Sequence, residues 1–129
     1  ITLPNGLKKI GESAFRCLVS LQSVNIPKTV RYIGEDAFQD CNLLKRIIVP
    51  EGVRYIDANA FSVQNGRGEL EYVELPSTLE YFRESCKWWR VYLFHSPSCP
   101  NLVVSVPRAP HVEEFCEHNK VKFIYREDK

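Results

Sequence analysis

The sequence is repetitive: over residues 1–61 its landmark motifs recur every 23 residues. Five segments share the pattern hydrophobic–x–hydrophobic–proline, at residues 1–4, 24–27, 47–50, 73–76 and 104–107. Their prolines lie 23, 23, 26 and 31 residues apart. A second landmark, Ile-x-x-x-Ala-Phe, begins at Ile10, Ile33 and Ile56 with the same separation. Two landmarks that keep one register over three units indicate a solenoid, in which each unit forms one coil.

The residue types within the second unit predict how a coil folds. Val24 and Ile26 alternate with other residues and indicate a short strand with one buried side. Pro27 ends this strand because proline has no N–H for the next ladder bond. After the proline, apolar residues recur at an interval of three, at Val30 and Ile33. The Gly-Glu-Asp-Ala-Phe segment that follows predicts a turn into a short helical or 3₁₀ stretch.

The phenylalanines of the second landmark fall at one position of three successive units, Phe15, Phe38 and Phe61. A single coil cannot bury its apolar interior, whereas stacked coils can. We therefore expect these three rings to form one buried column, and a scattered arrangement would exclude the solenoid.

Residues 21–44 carry the pattern L-x-x-V-x-I-P-x-x-V-x-x-I-G-x-x-A-F-x-x-C-x-x-L almost position for position. This pattern resembles the BspA-type leucine-rich repeat of bacterial surface proteins and some protists, strongly over residues 1–76 and loosely over 76–125. The resemblance implies an α/β fold, a right-handed leucine-rich-repeat solenoid with a parallel β-sheet on one face and short helical or 3₁₀ returns. It also implies an extracellular or cell-surface location, often an adhesive role, and no catalytic residues.

The whole chain is expected to form a single leucine-rich-repeat domain of about five coils. Residues 76–106 form an irregular coil, and residues 107–125 predict a C-terminal cap made of a helix and a strand. Pro110 suits the first turn of that helix, with Val112 and Cys116 on its apolar face and residues 121–125 as the final strand. Since the sequence begins at Ile1 and contains no methionine, we expect a fragment of a longer protein.

The amino-acid composition gives no indication of binding to nucleic acid or of insertion into a membrane. The 17 basic and 16 acidic residues give a net charge of +1, which favours neither nucleic acid nor an anionic membrane. No apolar run approaches the roughly 20 residues of a membrane span, so no membrane insertion is expected within this fragment. Five cysteines without a C-x-x-C pair fit small buried residues better than a disulfide framework.

Residues that could carry chemistry are sparse. The closest metal-ligand pairs are His95 with Cys99 and Cys116 with His118, and neither matches a zinc signature. No Gly-x-Ser-x-Gly motif or phosphate-binding glycine loop occurs. The sequence therefore predicts no enzyme, no cofactor and no metal, and a metal-binding or enzymatic domain is the least favoured alternative.

The predicted binding residues lie at strand positions that point away from the core. The candidates are Lys45 and Arg46 on one strand and Tyr72 and Glu74 on the next. Five coils with strands about 4.8 Å apart give a face of only about 20 Å, which favours weak binding or a longer array. A solvated face without function is an equal alternative for each of these residues.

Two departures from the repeat leave alternatives open. Residues 65–68, Asn-Gly-Arg-Gly, form an insertion that either carries function or is a tolerated neutral loop. Residues 88–94 hold more aromatic side chains than one coil has positions for, so these rings either thicken the core or form an exposed patch. Trp88 and Trp89 are adjacent and are expected to point to different sides, with one of them accessible for binding.

The sequence as a whole predicts a non-catalytic module for protein–protein interaction or adhesion, which recognises a protein or glycan ligand at the cell surface or after secretion. The alternative is a purely structural spacer repeat in a larger surface protein. We also expect self-association through an uncapped strand edge between Ile1 and Leu3.

Overall fold

The computed structural model describes residues 1–57, 59–63, 68–82, 101–118 and 122–126. These residues form eight short strands and one helix. In chain order the elements are β1 (Lys9–Ile10), β2 (Tyr32–Ile33), β3 (Arg46–Ile48), β4 (Tyr55–Ile56), β5 (Tyr72–Glu74), β6 (Tyr81–Phe82), β7 (Val103–Val106), α1 (Pro110–His118) and β8 (Phe123–Tyr125). The strands build two parallel sheets of four strands each, so the solenoid makes about four turns.

The first sheet, here called the long-strand sheet, contains the strands β3-β5-β7-β8 in that order. Its parallel register pairs Ile47 with Val73 and Val73 with Val104, and all three side chains are buried. This confirms the parallel sheet expected from the hydrophobic–x–hydrophobic–proline segments. The first two of those segments form the isolated parallel bridge between Thr2 and Asn25.

A second parallel sheet, the short-strand sheet, contains β1-β2-β4-β6 and was not predicted. Each strand has only two residues, which is too short for an alternating pattern to be recognised in the sequence. The second residue points inward and is buried at Ile10, Ile33 and Ile56, while the first points outward. Each coil therefore has two flat sides instead of one.

The Gly-Glu-Asp-Ala-Phe segment at residues 34–38 and the described residues at equivalent positions of the neighbouring coils form turns, where a short helical or 3₁₀ stretch was expected. Coil stacking continues through their backbones: the N–H of Phe15 donates to the Ala37 carbonyl at 2.8 Å, and the N–H of Phe38 donates to that of Ala60 at 2.7 Å. Five non-glycine residues of these turns have positive φ: Ser13, Cys17, Asp36, Asp40 and Asn59. Asp and Asn tolerate this left-handed conformation better than most residues, which fits three of the five positions.

The predicted phenylalanine column, made of Phe15, Phe38 and Phe61, is confirmed. The ring centroids of Phe15 and Phe38 lie 5.2 Å apart, and those of Phe38 and Phe61 lie 5.7 Å apart. Phe38 and Phe61 are buried, and Phe15 at the end of the column is partly buried. Stacked aromatic rings at this separation add to the stabilisation that comes from buried area alone.

The C-terminal end of the described chain consists of α1 and β8. Val112 and Cys116 on the inner side of α1 are buried, whereas Glu114 and Glu117 are exposed. The strand β8 then pairs with β7 in parallel and extends the long-strand sheet by one strand.

Candidate interaction surface

The structure places the four described candidate residues together on the outside of the long-strand sheet. Arg46 and Tyr72 are partners in the register of β3 and β5, and Glu74 follows two residues later on β5. Lys45 directly precedes β3, and its carbonyl accepts a bond from the N–H of Glu71 at 2.8 Å. Lys45 and Arg46 are exposed, whereas Tyr72 and Glu74 are partly buried. The other two candidates, Trp88 and Trp89, lie outside the described residues.

Three of these side chains form a connected unit, here called the Tyr72 clamp: Arg46, Tyr72 and Glu74. The Arg46 guanidinium lies over the Tyr72 ring, 4.4 Å from its centroid. The Tyr72 hydroxyl donates a hydrogen bond of 2.7 Å to Oε1 of Glu74. Burial raises the pKa of the Tyr72 phenol, and the bond to Glu74 acts in the same direction. The phenol is thus held as a neutral hydrogen-bond donor between a cation and an anion.

Arg126 extends the clamp, although it is not among the binding residues predicted from the sequence. Its Nη1 lies 3.9 Å from Oε2 of Glu74, and its Nη2 donates a bond of 3.2 Å to the Leu75 carbonyl. The backbone N–H of Arg126 donates to the Val106 carbonyl at 2.8 Å, so parallel pairing continues one residue beyond β8. Recognising this in advance would have required the register of β8, which the sequence alone does not set.

Apolar side chains flank the clamp on the same face. Ile48, Val103 and Ile124 are 43%, 38% and 54% exposed. Register places Ile48 beside Glu74 and Val103 beside Tyr72, on neighbouring strands. Ser105 points the same way but is buried, and it shares a side-chain hydrogen bond with Tyr72. The face therefore combines a fixed polar centre with exposed aliphatic groups.

The short-strand sheet carries a second outward surface, which the sequence reasoning missed. Lys9 Nζ lies 5.0 Å from the centroid of the Tyr32 ring, and the Tyr32 hydroxyl donates a 2.8 Å bond to Oδ2 of Asp57. A cavity of about 360 Å³ opens here, lined by Tyr32, Tyr55, Ile56 and Asp57. The signal that could have revealed it is the Arg-Tyr-Ile triplet, which occurs at residues 31–33 and again at 54–56.

Lys9, Tyr32 and Asp57 thus form a second clamp like that of Tyr72, and a third connects the two elements of the C-terminal cap, α1 and β8. The Arg108 guanidinium lies 4.0 Å from the centroid of the Tyr125 ring, and the Tyr125 hydroxyl donates a hydrogen bond to Glu113. That bond is the main cause of the raised pKa of the Tyr125 phenol. The clamp ties α1 to β8.

Possible metal ligands are dispersed in the described part of the chain. Among its residues, no group of three or more His, Cys, Asp or Glu side chains is arranged to hold a metal ion. Burial raises the pKa of the Cys41 thiol to about 11 and that of the Cys116 thiol to about 12, so neither is a thiolate at neutral pH. His95 and Cys99 lie outside the described residues. In the parts of the chain that the structure covers, no helix has the length and apolar character needed to cross a membrane.

Comparison with known families decides the identity of the fold. The profile of the "BspA type Leucine rich repeat region" matches residues 1–89 in six copies. This chain belongs to the BspA-type leucine-rich repeat family. Members of this family are bacterial surface proteins, and their repeats fit a protein-interaction or recognition module. Solenoids of the leucine-rich-repeat type are generally non-enzymatic, in line with the absence of a catalytic motif from the sequence.

Two solved structures show the same architecture as this BspA-type chain. A leucine-rich repeat protein from Bacteroides ovatus is 25% identical, with a TM-score of 0.62 over 95% of this chain and 31% of its own. The leucine-rich repeat protein of T. pallidum is 26% identical, with a TM-score of 0.53 over 81% of this chain and 57% of its own. The chain thus spans about a third and just over half of these two proteins. No curated protein sequence matches it.

Proposed function

We propose that this chain is a non-catalytic recognition module of a cell-surface or secreted bacterial protein, and that it contacts a protein partner through the outer face of its long-strand sheet. The observation that carries the proposal is the Tyr72 clamp, in which Arg46 lies 4.4 Å from the ring centroid and the hydroxyl is bonded to Glu74. Tyrosine and arginine, together with tryptophan, are enriched among the residues that contribute most to the free energy of protein interfaces.

Preorganisation supports a binding role for this face. A flexible arginine side chain loses rotamer freedom on binding, at a cost of about 0.5–1.5 kcal/mol. Stacking on Tyr72 restricts Arg46 before a partner arrives, while the side chain stays exposed. The adjacent Ile48 and Val103 supply apolar area that a partner can cover. A protein surface fits this mixture of fixed charges and aliphatic groups better than a uniformly polar ligand does.

The size of the face supports weak binding by a single copy. Four strands about 4.8 Å apart span roughly 14 Å, and a stable interface usually buries about 800 Å² on each partner. In a protein with a longer array, or displayed in many copies on a cell surface, several weak contacts act together and raise the overall affinity. The matched structures are longer than this chain, which supports such an array.

The experiment uses the chain as a fluorescent tetramer, titrated onto cultured epithelial cells. We expect saturable binding that disappears after mild trypsin treatment of the cells, because trypsin removes surface proteins and leaves lipids in place. Tyr72→Ala and Lys45→Glu should each raise the half-saturating concentration at least about tenfold. Lys28→Glu, at an exposed turn position that belongs to neither sheet, is the matched control and should bind as the parent does.

The same titration separates recognition from a purely structural spacer. The spacer is the second candidate, because the clamp residues already satisfy one another within the chain. Unchanged binding by both Tyr72→Ala and Lys45→Glu would favour the spacer and contradict the proposal. Binding that survives trypsin would move the ligand from protein to glycan or lipid.

Self-association through the first coil is a further part of the proposal. Ile1, Leu18 and Val19 are 55%, 41% and 60% exposed, and they line a cavity of about 590 Å³ at that end of the solenoid. Leu3 is partly buried against the core. Sedimentation velocity at low and high concentration tests this, with Val19→Glu expected to shift the chain toward monomer. A parent chain that is monomeric at the highest concentration would contradict it.

A further inference from the structure

The short-strand sheet places basic residues directly above one another at the start of successive strands. The N–H of Arg31 donates to the Lys8 carbonyl at 2.8 Å, and the N–H of Arg54 donates to the Arg31 carbonyl at 3.0 Å. Lys8, Arg31 and Arg54 therefore occupy the same position of three consecutive coils, and all three are exposed. Like charges that face each other on neighbouring strands destabilise a sheet, so this row favours a ligand that supplies negative charge.

A column of outward side chains runs beside this basic row. Lys9, Tyr32 and Tyr55 are register partners on β1, β2 and β4. Tyr55 is 41% exposed, and the cavity of about 360 Å³ lies between the tyrosines and Asp57. The site thus offers cations along one edge, apolar ring faces in the middle, and a carboxylate acceptor on the other side.

We propose that this face binds an acidic linear glycan, a chain of sugar rings that carry carboxylate or sulfate groups. Sugar rings have apolar C–H faces that stack on aromatic side chains, and their hydroxyls can donate to the Asp57 carboxylate. Their anionic groups accept hydrogen bonds from Arg54, since a guanidinium can bind carboxylate or sulfate with two parallel bonds. Arg31 contributes mainly its positive charge, because its Nη1 already donates to the Lys28 and Val30 carbonyls at 2.7 and 3.2 Å. The proposal involves no residue of the long-strand sheet and is independent of the proposed protein partner.

Acidic residues set the boundaries of this site. Glu80 follows Arg54 in the basic row, because its N–H donates to the Arg54 carbonyl at 2.9 Å. Glu12 and Glu35 lie at the start of the turns, beyond the tyrosine column. A wide polyanion such as duplex nucleic acid would meet these carboxylates, whereas a single glycan strand fits the stripe between them. Three coils about 4.8 Å apart give a basic row of roughly 10 Å, enough for a few sugar rings.

A regular spacing argues for a glycan over an acidic peptide. Side chains on one side of an extended peptide recur only every second residue, at about 6.6–6.8 Å, which does not match strands about 4.8 Å apart. A linear glycan presents one ring after another at a spacing close to that of the strands. An acidic peptide also carries few side-chain donors for Asp57.

The test is isothermal titration calorimetry of the chain with four probes: trigalacturonate, a chondroitin sulfate oligosaccharide, the neutral sugar maltotriose, and oligoglutamate. We expect at least one of the two acidic oligosaccharides to bind more tightly than both maltotriose and oligoglutamate. Trigalacturonate and chondroitin sulfate distinguish carboxylate from sulfate recognition. The proposal is overturned if neither acidic sugar binds, or if oligoglutamate binds as tightly as they do.

Variants locate the site. Tyr55→Ala and Arg54→Ala should each weaken binding of the acidic sugar roughly tenfold, and the exposed Arg54 keeps the test valid if Tyr55→Ala proves unstable. Glu80→Arg should strengthen binding several-fold, because it extends the basic row by one coil. Lys45→Ala removes a positive charge from the other sheet and should leave the affinity unchanged. Equal losses for Lys45→Ala and Arg54→Ala would show attraction to net charge alone and would overturn the proposal.

Discussion

Aromatic side chains inside the solenoid are arranged differently from those outside it. Inside, Phe15, Phe38 and Phe61 are identical residues, stacked with interplanar angles of 9° and 19°. Outside, tyrosines carry a cation on the ring face and a carboxylate on the hydroxyl, and the partners change from one tyrosine to the next. The three clamps are Lys9–Tyr32–Asp57, Arg46–Tyr72–Glu74 and Arg108–Tyr125–Glu113.

The difference shows which constraint acts on each region. An inner position must fit the coil above and the coil below, so the repeat keeps one residue type there. An outer position has to satisfy only its own polar atoms and is free to vary among coils. In this chain, one residue type is therefore kept at the inner phenylalanine position of all three units, whereas an outer position changes between coils, as Lys9, Tyr32 and Tyr55 do.

The strongest test of this comparison is Phe38→Ala. Phe38 is only 1% exposed and stacks on both Phe15 and Phe61, so its removal leaves a cavity between two rings. We expect the free energy of unfolding to fall by about 3–5 kcal/mol, measured by urea denaturation.

Phe15→Ala is the matched control, because Phe15 ends the column and is only partly buried. It should cost clearly less than Phe38→Ala. Equal losses at the two positions would mean that the stability comes from each coil by itself and not from stacking.

Close contact between coils is tested by Gly34→Ala. A Cβ at Gly34 would lie 2.7 Å from the Glu12 nitrogen and 2.8 Å from the Gly11 carbonyl carbon, both of them backbone atoms of the preceding coil. We expect a loss of about 1–3 kcal/mol in thermal or urea unfolding, because the backbones must separate. Gly11→Ala is the control, since its Cβ would meet nothing within 4 Å. A Gly34→Ala variant as stable as Gly11→Ala would contradict the close packing at this position.

The contribution of an outer tyrosine to stability is tested by Tyr72→Phe. This change keeps the ring under Arg46 and removes the hydroxyl that donates to Glu74. Because Tyr72 is partly exposed and water can replace the partner, we expect a loss of only about 0.5–1.5 kcal/mol in unfolding free energy. A loss as large as that of Phe38→Ala would place the clamp in the core and remove the distinction between the two regions.

Much of the fold could be predicted from the sequence, because the constant interval of the repeat shows which residues occupy equivalent positions in successive coils. The separation of 23 residues between Phe15, Phe38 and Phe61 was enough to predict their column, and Val104 and Val106 were enough to identify β7 as a strand. The short-strand sheet could not be predicted, since strands of two residues carry no alternation. The turns were expected to be helical because their left-handed residues, such as Ser13 and Cys17, have no signature that identifies positive φ.

The candidate site was predicted only in part. Alternation along β3 and β5 was enough to place Arg46, Tyr72 and Glu74 on one outer face, where the structure has them. The contacts among these three side chains depend on their conformations. The contact of Arg126 with Glu74 depends on the pairing of the last strand with a distant segment of the chain. Periodicity within the sequence specifies neither of these.

The smallest expected change in the free energy of unfolding concerns Asp36, a partly buried polar residue in one of the turns. Asp36 has a φ of 57° and accepts a bond of 3.2 Å from Nε2 of Gln39. Burial raises the pKa of the Asp36 carboxyl above 3.8, although the nearby Arg16 opposes this. The next coil has Asn59 at the equivalent position, also with positive φ. Asp36→Asn therefore copies a residue that the repeat already accepts.

The sign of the pH effect follows from this shift. The folded chain holds the Asp36 proton more tightly than the unfolded chain does, so the free energy of unfolding falls as pH rises through the interval above 3.8. Asp36→Asn has no such proton to lose. It should be more stable than the parent by less than about 1 kcal/mol at about pH 7, and the advantage should vanish at about pH 3. Urea unfolding at both pH values measures the difference, and an advantage confined to the lower pH would mean that Arg16 outweighs burial at this carboxylate.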